Sequence, residues 1–212
     1  MATMTLWGFD GSTYVRTVKM LLSEKGVSDF EQVPLNVLKG DPQKPEHLER
    51  HPFGKVPVLD HEGLRLLETF AIARYLNDVL PGPSLVPSDV KDRARMDMVV
   101  GIIDSYGYGS LIEGVAAYHL FPDFVGGKSE KKHRDGLDKG RKVLDFIMKT
   151  KGASPFLAGE APSLADLYLA PIASYISLTP DKDALFAADG FGAWWERVQA
   201  MESYKATTPD LG

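Results

Sequence analysis

Apolar and polar positions change their rhythm twice along this chain. Thr5-Leu6-Trp7-Gly8 predicts a short first strand, and Asp10-Gly11-Ser12 a turn. Val15, Val18, Leu21 and Leu22 then recur at helical spacing and Gly26 closes the run, which predicts a helix over 14–25. Phe30 to Leu35 predicts a second strand, and two strands around one helix predict a right-handed βαβ unit with parallel pairing. A polar loop with two prolines spans Gly40 to Pro45. The stretch His51-Pro52-Phe53-Gly54-Lys55-Val56-Pro57-Val58-Leu59 then leads from a turn into a strand. Pro57 lacks a backbone N–H, so the strand begins there or runs at an edge, and Val56-Pro57 is a candidate cis bond. Asp60 to Gly63 is hairpin chemistry, Leu64 to Leu67 a return strand, and Thr69 to Val79 an amphipathic helix.

Leu80-Pro81-Gly82-Pro83-Ser84-Leu85-Val86-Pro87 continues neither regular element. Beyond it strand patterning fades. A long helix is expected over 90–118, kinked or broken where Gly101, Gly107, Gly109 and Gly114 interrupt it. Further helices are expected over 129–150, from Ser163 to Tyr175, and around Phe191, Trp194, Trp195 and Val198. Ser163 and Asp166 have capping-box spacing with Asp in place of Glu. The tail after Met201 is expected to be poorly ordered. The fold class is therefore α+β: a βαβ-ββα domain over 1–80, a linker over 81–88, and an all-α helical-bundle domain over 89–212.

Bulk properties narrow the function without naming it. The 212 residues carry a net charge of −5, which argues against nucleic acid as the main partner. No run is long enough to span a membrane and no secretory signal opens the chain. Cysteine is absent, which excludes thiolate metal sites and a Cys nucleophile and agrees with a reducing cytoplasm. Apart from His51, the histidines His47, His61, His119 and His133 are scattered, with no i,i+4 pair among these four and no Cys beside them, so no metal site is expected.

The combination H-P-F-G-K-V-P (51–57), hairpin, then Glu68-Thr69 at a helix start resembles the glutathione-site half of the thioredoxin-like domain of cytosolic glutathione transferases. Phe156-Leu157-Ala158-Gly159, followed by Pro162-Ser163-Leu164-Ala165-Asp166, resembles the N-capped buried helix of that family's C-terminal domain, a folding element. The layout after the first strand resembles the serine-type members, phi or theta-like, of a bacterial or fungal kind. The resemblance implies glutathione as co-substrate, no metal, a homodimer in the cytoplasm, and a small hydrophobic electrophile as second substrate.

It also implies roles. Ser12, and after it Thr13, stands where the serine-type members place the hydroxyl that stabilises the glutathione thiolate, and Arg16 matches the Arg a few residues on. Ser12 is equally a plain N-cap, and the two roles are compatible. Tyr14 is a weaker rival, and Tyr106 the preferred second hydroxyl. A free thiol ionises near pH 8.5, and lowering that by about two units takes about 2.7 kcal/mol. A hydroxyl bonded to an anion supplies about 1.5–3 kcal/mol, and a helix N-terminus about 0.3–1 kcal/mol. Val56 would pair its backbone with the cysteinyl part in a geometry held by Pro57. Glu68 and Thr69 would take the γ-glutamyl end, and Lys55 or Lys44 the glycyl carboxylate.

Two positions depart from the family. Pro42 and Gln43 stand where phi-type enzymes commonly have a His-Lys pair, and His51 replaces an Asn, which reads as structural. Phe9, Tyr14, Tyr106, Tyr108, Ile112 and Tyr118 are candidates for an apolar electrophile slot between the domains. The glycines of Ser105-Tyr106-Gly107-Tyr108-Gly109 would admit a ligand or a neighbouring backbone. Two other readings remain open at this point: a non-catalytic glutathione-binding module of the same fold, and a peroxidase, isomerase or dehalogenase using the same thiolate.

Overall fold

A computed structural model describes residues 4–209. The chain forms two compact units. One runs up to Ser84 and takes in the chain from Glu202 on; the other is Leu85–Met201.

The first unit opens with β1 (Met4–Trp7), α1 (Thr13–Glu24) and β2 (Glu31–Val33). The 40–45 stretch, expected as an open loop, is wound into short turns of 3₁₀ helix and leads into α2 (Pro45–Leu48). The Asn36 side chain caps the preceding turn by accepting from the Leu38 and Lys39 amides at 2.9 and 3.2 Å. β3 (Val58–His61), β4 (Leu64–Leu66) and α3 (Thr69–Val79) complete the sequence. The sheet order is β2-β1-β3-β4. β1 pairs parallel with β2, as the βαβ rule requires, and the other pairings are antiparallel. α1 and α3 pack on each other. Leu6, Val15, Val18, Leu21, Val58, Leu59, Ile72 and Leu76 are fully buried, which is the helical and strand stripe of the sequence turned inward.

The second unit is helical. α4 (Val90–Ile102) starts at Asp89, whose carboxylate accepts from the Lys91 and Asp92 amides. The helix runs on unbroken through Gly101, Gly107, Gly109 and Gly114. It widens into a π-helical segment, Ile103–Ala116, and returns to α geometry in α5 (Ala117–Leu120). At its end the Ala117 amide donates to the Ile112 carbonyl, the i→i−5 bond of a π-helix. One of the four glycines, Gly114, serves backbone contact. A Cβ on Gly114 would lie 2.8 Å from the Gly136 Cα. Gly136 belongs to α6 (Glu130–Lys151), which packs along the widened segment.

α7 (Leu164–Ser177), α8 (Lys182–Leu185) and α9 (Phe191–Ala200) come next. α7 is apolar nearly all round and buried, as an interior helix must be. α10 (Glu202–Ala206) corrects the expectation of a poorly ordered tail. It packs on α1, because the buried Arg16 guanidinium donates to the Tyr204 carbonyl at 3.0 Å and to the Thr208 hydroxyl at 3.1 Å. Residues 210–212 of that tail lie outside the described residues. Among the described residues no helix is long and apolar enough to cross a membrane.

Candidate active site

The strand register brings the candidate residues of the first unit to one end of the sheet. Trp7, the last residue of β1, pairs with Val58, the first of β3. Trp7 also pairs with Val33, the last residue of β2. Leu66, which ends β4, lies opposite Leu59. The turn into α1, the Val56-Pro57 entry to β3 and the turn into α3 therefore emerge side by side. They are the places that hold Ser12 and Thr13, Val56 and Pro57, and Glu68 and Thr69.

Ser12 is the N-cap of α1. Its Oγ accepts from the Val15 amide at 3.3 Å, and its own amide donates to the Phe9 carbonyl at 3.0 Å. Accepting uses an oxygen lone pair, so the Ser12 O–H remains available to donate to an anion at the helix start. Phe9 closes over the turn, where a Cβ on Gly11 would meet its ring at 2.6 Å. Thr13 is 5% exposed, and its Oγ1 is buried with no hydrogen-bond partner. Tyr14 is half-buried. Arg16 is 3% exposed and spent on the C-terminal segment: its guanidinium lies 4.4 Å over the Tyr204 ring besides the bonds already named. The arginine thus braces the start of α1 from behind.

At the second helix start Glu68 is exposed and holds φ +66°, a left-handed conformation unusual for a residue with a side chain. Such strain costs on the order of 1–3 kcal/mol and collects at binding sites. The Glu68 side chain makes no capping bond to α3, and a helix start of this kind suits a carboxylate. The Val56-Pro57 bond is cis. Burial pushes the His51 imidazole down, with Glu68 pulling it the other way. The His51 Nδ1 accepts from the Phe53 amide at 3.3 Å, which fits its structural reading.

The glycyl-end candidates separate. The Lys44 ammonium pairs with Asp41 at 2.7 Å, while the Lys55 side chain is exposed. Gln43 does something the sequence pattern did not reveal. Its side-chain amide donates to the Gly54 carbonyl at 3.1 Å and so ties the 40–45 turns to the loop before β3. Gly54 is required there: it holds φ +58°, and a Cβ on it would meet the Gln43 amide nitrogen at 2.4 Å. Pro42 is buried beside it.

The second-unit candidates do not form one patch. Tyr106 is 66% exposed and lines a groove of about 1200 Å³ with Ser105, Lys132, Lys139 and Phe146. Tyr108, two positions on, is half-buried; burial pushes its phenol up to about 12, with Glu113 and Tyr175 acting in the same direction. Ile112 is buried in the core. Tyr118 belongs elsewhere: its ring stacks on His133 at 4.3 Å and its hydroxyl donates to Glu130.

Comparison with known proteins agrees with this geometry. Residues 2–78 match the model of the glutathione S-transferase N-terminal domain, and residues 109–202 that of the C-terminal domain. The chain is 31% identical over 204 residues to glutathione S-transferase 1 of Zea mays, covering 96% of this chain and 94% of that protein. Its structure is similar to that of poplar glutathione transferase F1, with a TM-score of 0.85 and 32% identity over 98% of this chain and 97% of that one. It is also similar to glutathione transferase F7 of Populus trichocarpa, with a TM-score of 0.86, 26% identity and coverage of 96% and 97%. On the two domain models, a fold shared over nearly the whole length and relatives in the plant F series, the phi class, the chain belongs to the glutathione S-transferase family.

Proposed function

We propose that the chain transfers glutathione to small hydrophobic electrophiles, with the Ser12 hydroxyl holding the glutathione sulfur as thiolate. The observation that carries this reading is the convergence at one sheet end of a hydroxyl that caps α1 yet can still donate and an α3 N-terminus that the strained Glu68 does not cap with its side chain. The γ-glutamyl carboxylate binds the first amides of α3 and the Thr69 hydroxyl. Its ammonium pairs with Glu68. The Val56 backbone pairs with the cysteinyl unit. Lys55 takes the glycyl carboxylate, since Lys44 is engaged by Asp41.

The cysteinyl sulfur then lies at the start of α1, where the Ser12 O–H donates to it. The hydroxyl bond and the helix start together supply roughly the 2.7 kcal/mol that a drop of two pKa units requires. The thiol proton leaves to solvent. The thiolate sulfur attacks the electrophilic carbon, the C–S bond forms, and the leaving group departs with its electron pair. Arg16 serves as a positioning residue through its hold on α10.

The further reading is of a cytoplasmic homodimer with an apolar electrophile slot that Phe9 and Tyr14 help to line. The exposed Phe53 and Phe146 rings offer apolar surface to a second copy of the chain. Calorimetry with glutathione, followed by a conjugation assay with an activated aryl chloride, tests the function. Binding that weakens at least about tenfold in Glu68→Ala, together with turnover, supports it. Glutathione binding without turnover of any electrophile class would assign the chain to the non-catalytic modules of the fold.

A further inference from the structure

His119, His133 and Asp181 are separated by 14 and 48 positions in the sequence, yet their ligand atoms lie within 4.8 Å of one another. His119 comes from α5, His133 from the first turns of α6, and Asp181 from the residue before α8. Each imidazole reaches the same carboxylate oxygen: Nε2 of His119 and Nε2 of His133 each lie 2.7 Å from Asp181 Oδ2. Burial raises the Asp181 carboxyl, but the bonds from His133 and His119 outweigh it and hold the group below the usual carboxylate range. An ionised carboxylate only accepts, so each imidazole here donates an Nε2–H.

The rings are fixed as well as close. Tyr118 stacks on His133 at 4.3 Å and meets His119 edge-on at 4.9 Å. Tyr118 is itself anchored by Glu130 and lies under the Lys128 ammonium at 5.2 Å. Side-chain exposures of 21%, 12% and 19% for His119, His133 and Asp181 leave the cluster reachable from solvent. None of these residues belongs to the proposed glutathione site.

We propose that this cluster is a binding site for a borderline divalent transition-metal ion, zinc foremost. Two imidazole nitrogens and one carboxylate oxygen make a donor set that suits zinc, cobalt, nickel or copper, whereas calcium and magnesium take all-oxygen shells. Zinc bonds to such donors are about 2.0–2.2 Å long, so in a tetrahedral shell neighbouring donors sit about 3.3–3.6 Å apart. Opening each 2.7 Å contact by about 0.6–0.9 Å admits the ion. The proton on each Nε2 is displaced, either to Nδ1 of the same ring or to solvent. Three protein ligands leave a further position for water. The bound ion ties together three helical elements of the second unit.

The untagged full-length chain, stripped with a chelator, is titrated with Zn²⁺ by calorimetry and with Co²⁺ by visible absorption, alongside His119→Gln, His133→Gln and Asp181→Asn. The proposal expects one ion per chain, a melting temperature that rises with Zn²⁺, and affinity at least tenfold weaker in each variant. In the unmutated chain, Zn²⁺ shifts the imidazole nitrogen resonances of His119 and His133 and leaves those of His47, His51 and His61 in place. This readout decides the matter even where a variant folds poorly. Absence of saturable binding, or binding that shifts only the other histidines, would overturn the site and leave Asp181 as a hydrogen-bonded clamp.

Discussion

The Trp194 indole N–H donates to Asp166 Oδ1 at 2.8 Å, across 28 positions of sequence, in a place without solvent access. The same carboxylate accepts from the Leu157 amide at 2.9 Å and from the Ser163 amide and hydroxyl at 2.9 and 2.8 Å. Burial pushes the Asp166 carboxyl up, and the four donors oppose that rise without cancelling it. Removing the carboxylate strands them all, and each buried unsatisfied group costs about 1–3 kcal/mol. Asp166→Ala should therefore destabilise the chain by at least about 3 kcal/mol, read by denaturant unfolding on tryptophan fluorescence. A loss under about 1 kcal/mol would show that water replaces the carboxylate.

Arg16 predicts a link between α1 and the C-terminal segment. Arg16→Ala removes a buried charged donor from the Tyr204 carbonyl and from the Thr207 and Thr208 hydroxyls. We expect about 2–3 kcal/mol lost and fast amide exchange confined to α10 and the first turn of α1. Unchanged protection of α10 in the variant would mean that its apolar contacts alone hold it.

Two helical glycines should answer oppositely to alanine. A Cβ on Gly136 meets backbone on every side: Gly114 Cα at 2.8 Å, the Ser110 carbonyl oxygen at 2.9 Å and the Gly114 carbonyl carbon at 3.0 Å. Gly136→Ala should cost about 1–3 kcal/mol. Around Gly101 nothing lies within 4 Å, so Gly101→Ala should gain about 0.5–1 kcal/mol by helix propensity. Thermal melts of the pair check both signs.

Asp60 carries a pH dependence. The Arg65 guanidinium, bonded to it at 2.7 and 2.8 Å, lowers its carboxyl below the ordinary 3.8; burial opposes, and the Trp7 indole N–H adds to the lowering. A depressed folded-state value gives stability that is present above the unfolded value near 3.8 and lost as pH falls through the folded one. Asp60→Asn should thus be less stable than the unmutated chain at pH 7. The gap should close in acid below about pH 3, as followed by urea midpoints. A constant gap across that range would remove the charge from the explanation.

These contacts mark the boundary of what the sequence discloses. The hairpin at 60–63, the Ser12 cap and the Ser163–Asp166 box rest on local spacing, and the structure has each in place. Trp194 as partner of Asp166 rests on tertiary packing, which spacing does not encode. The π-helical widening also escaped, because glycines at 107, 109 and 114 read alike for a kink, a ligand approach or a helix crossing. α10 was hidden because a short polar tail offers no stripe, and its order comes from Arg16 far away in sequence. His119, His133 and Asp181 meet only through the packing of three helical elements, so scanning for paired ligands on one helix missed them.

The Ser12 Oγ caps Val15 while its proton stays free to donate. The direct measurement tracks ultraviolet thiolate absorbance of bound glutathione against pH in the unmutated chain, Ser12→Ala and Thr13→Val. A thiolate is expected at neutral pH in the unmutated chain and in Thr13→Val. In Ser12→Ala the midpoint should move up by about one to two pH units, as loss of a hydrogen bond to an anion implies. An unchanged midpoint in Ser12→Ala would rule out Ser12 as the thiolate's donor and move the role to another hydroxyl.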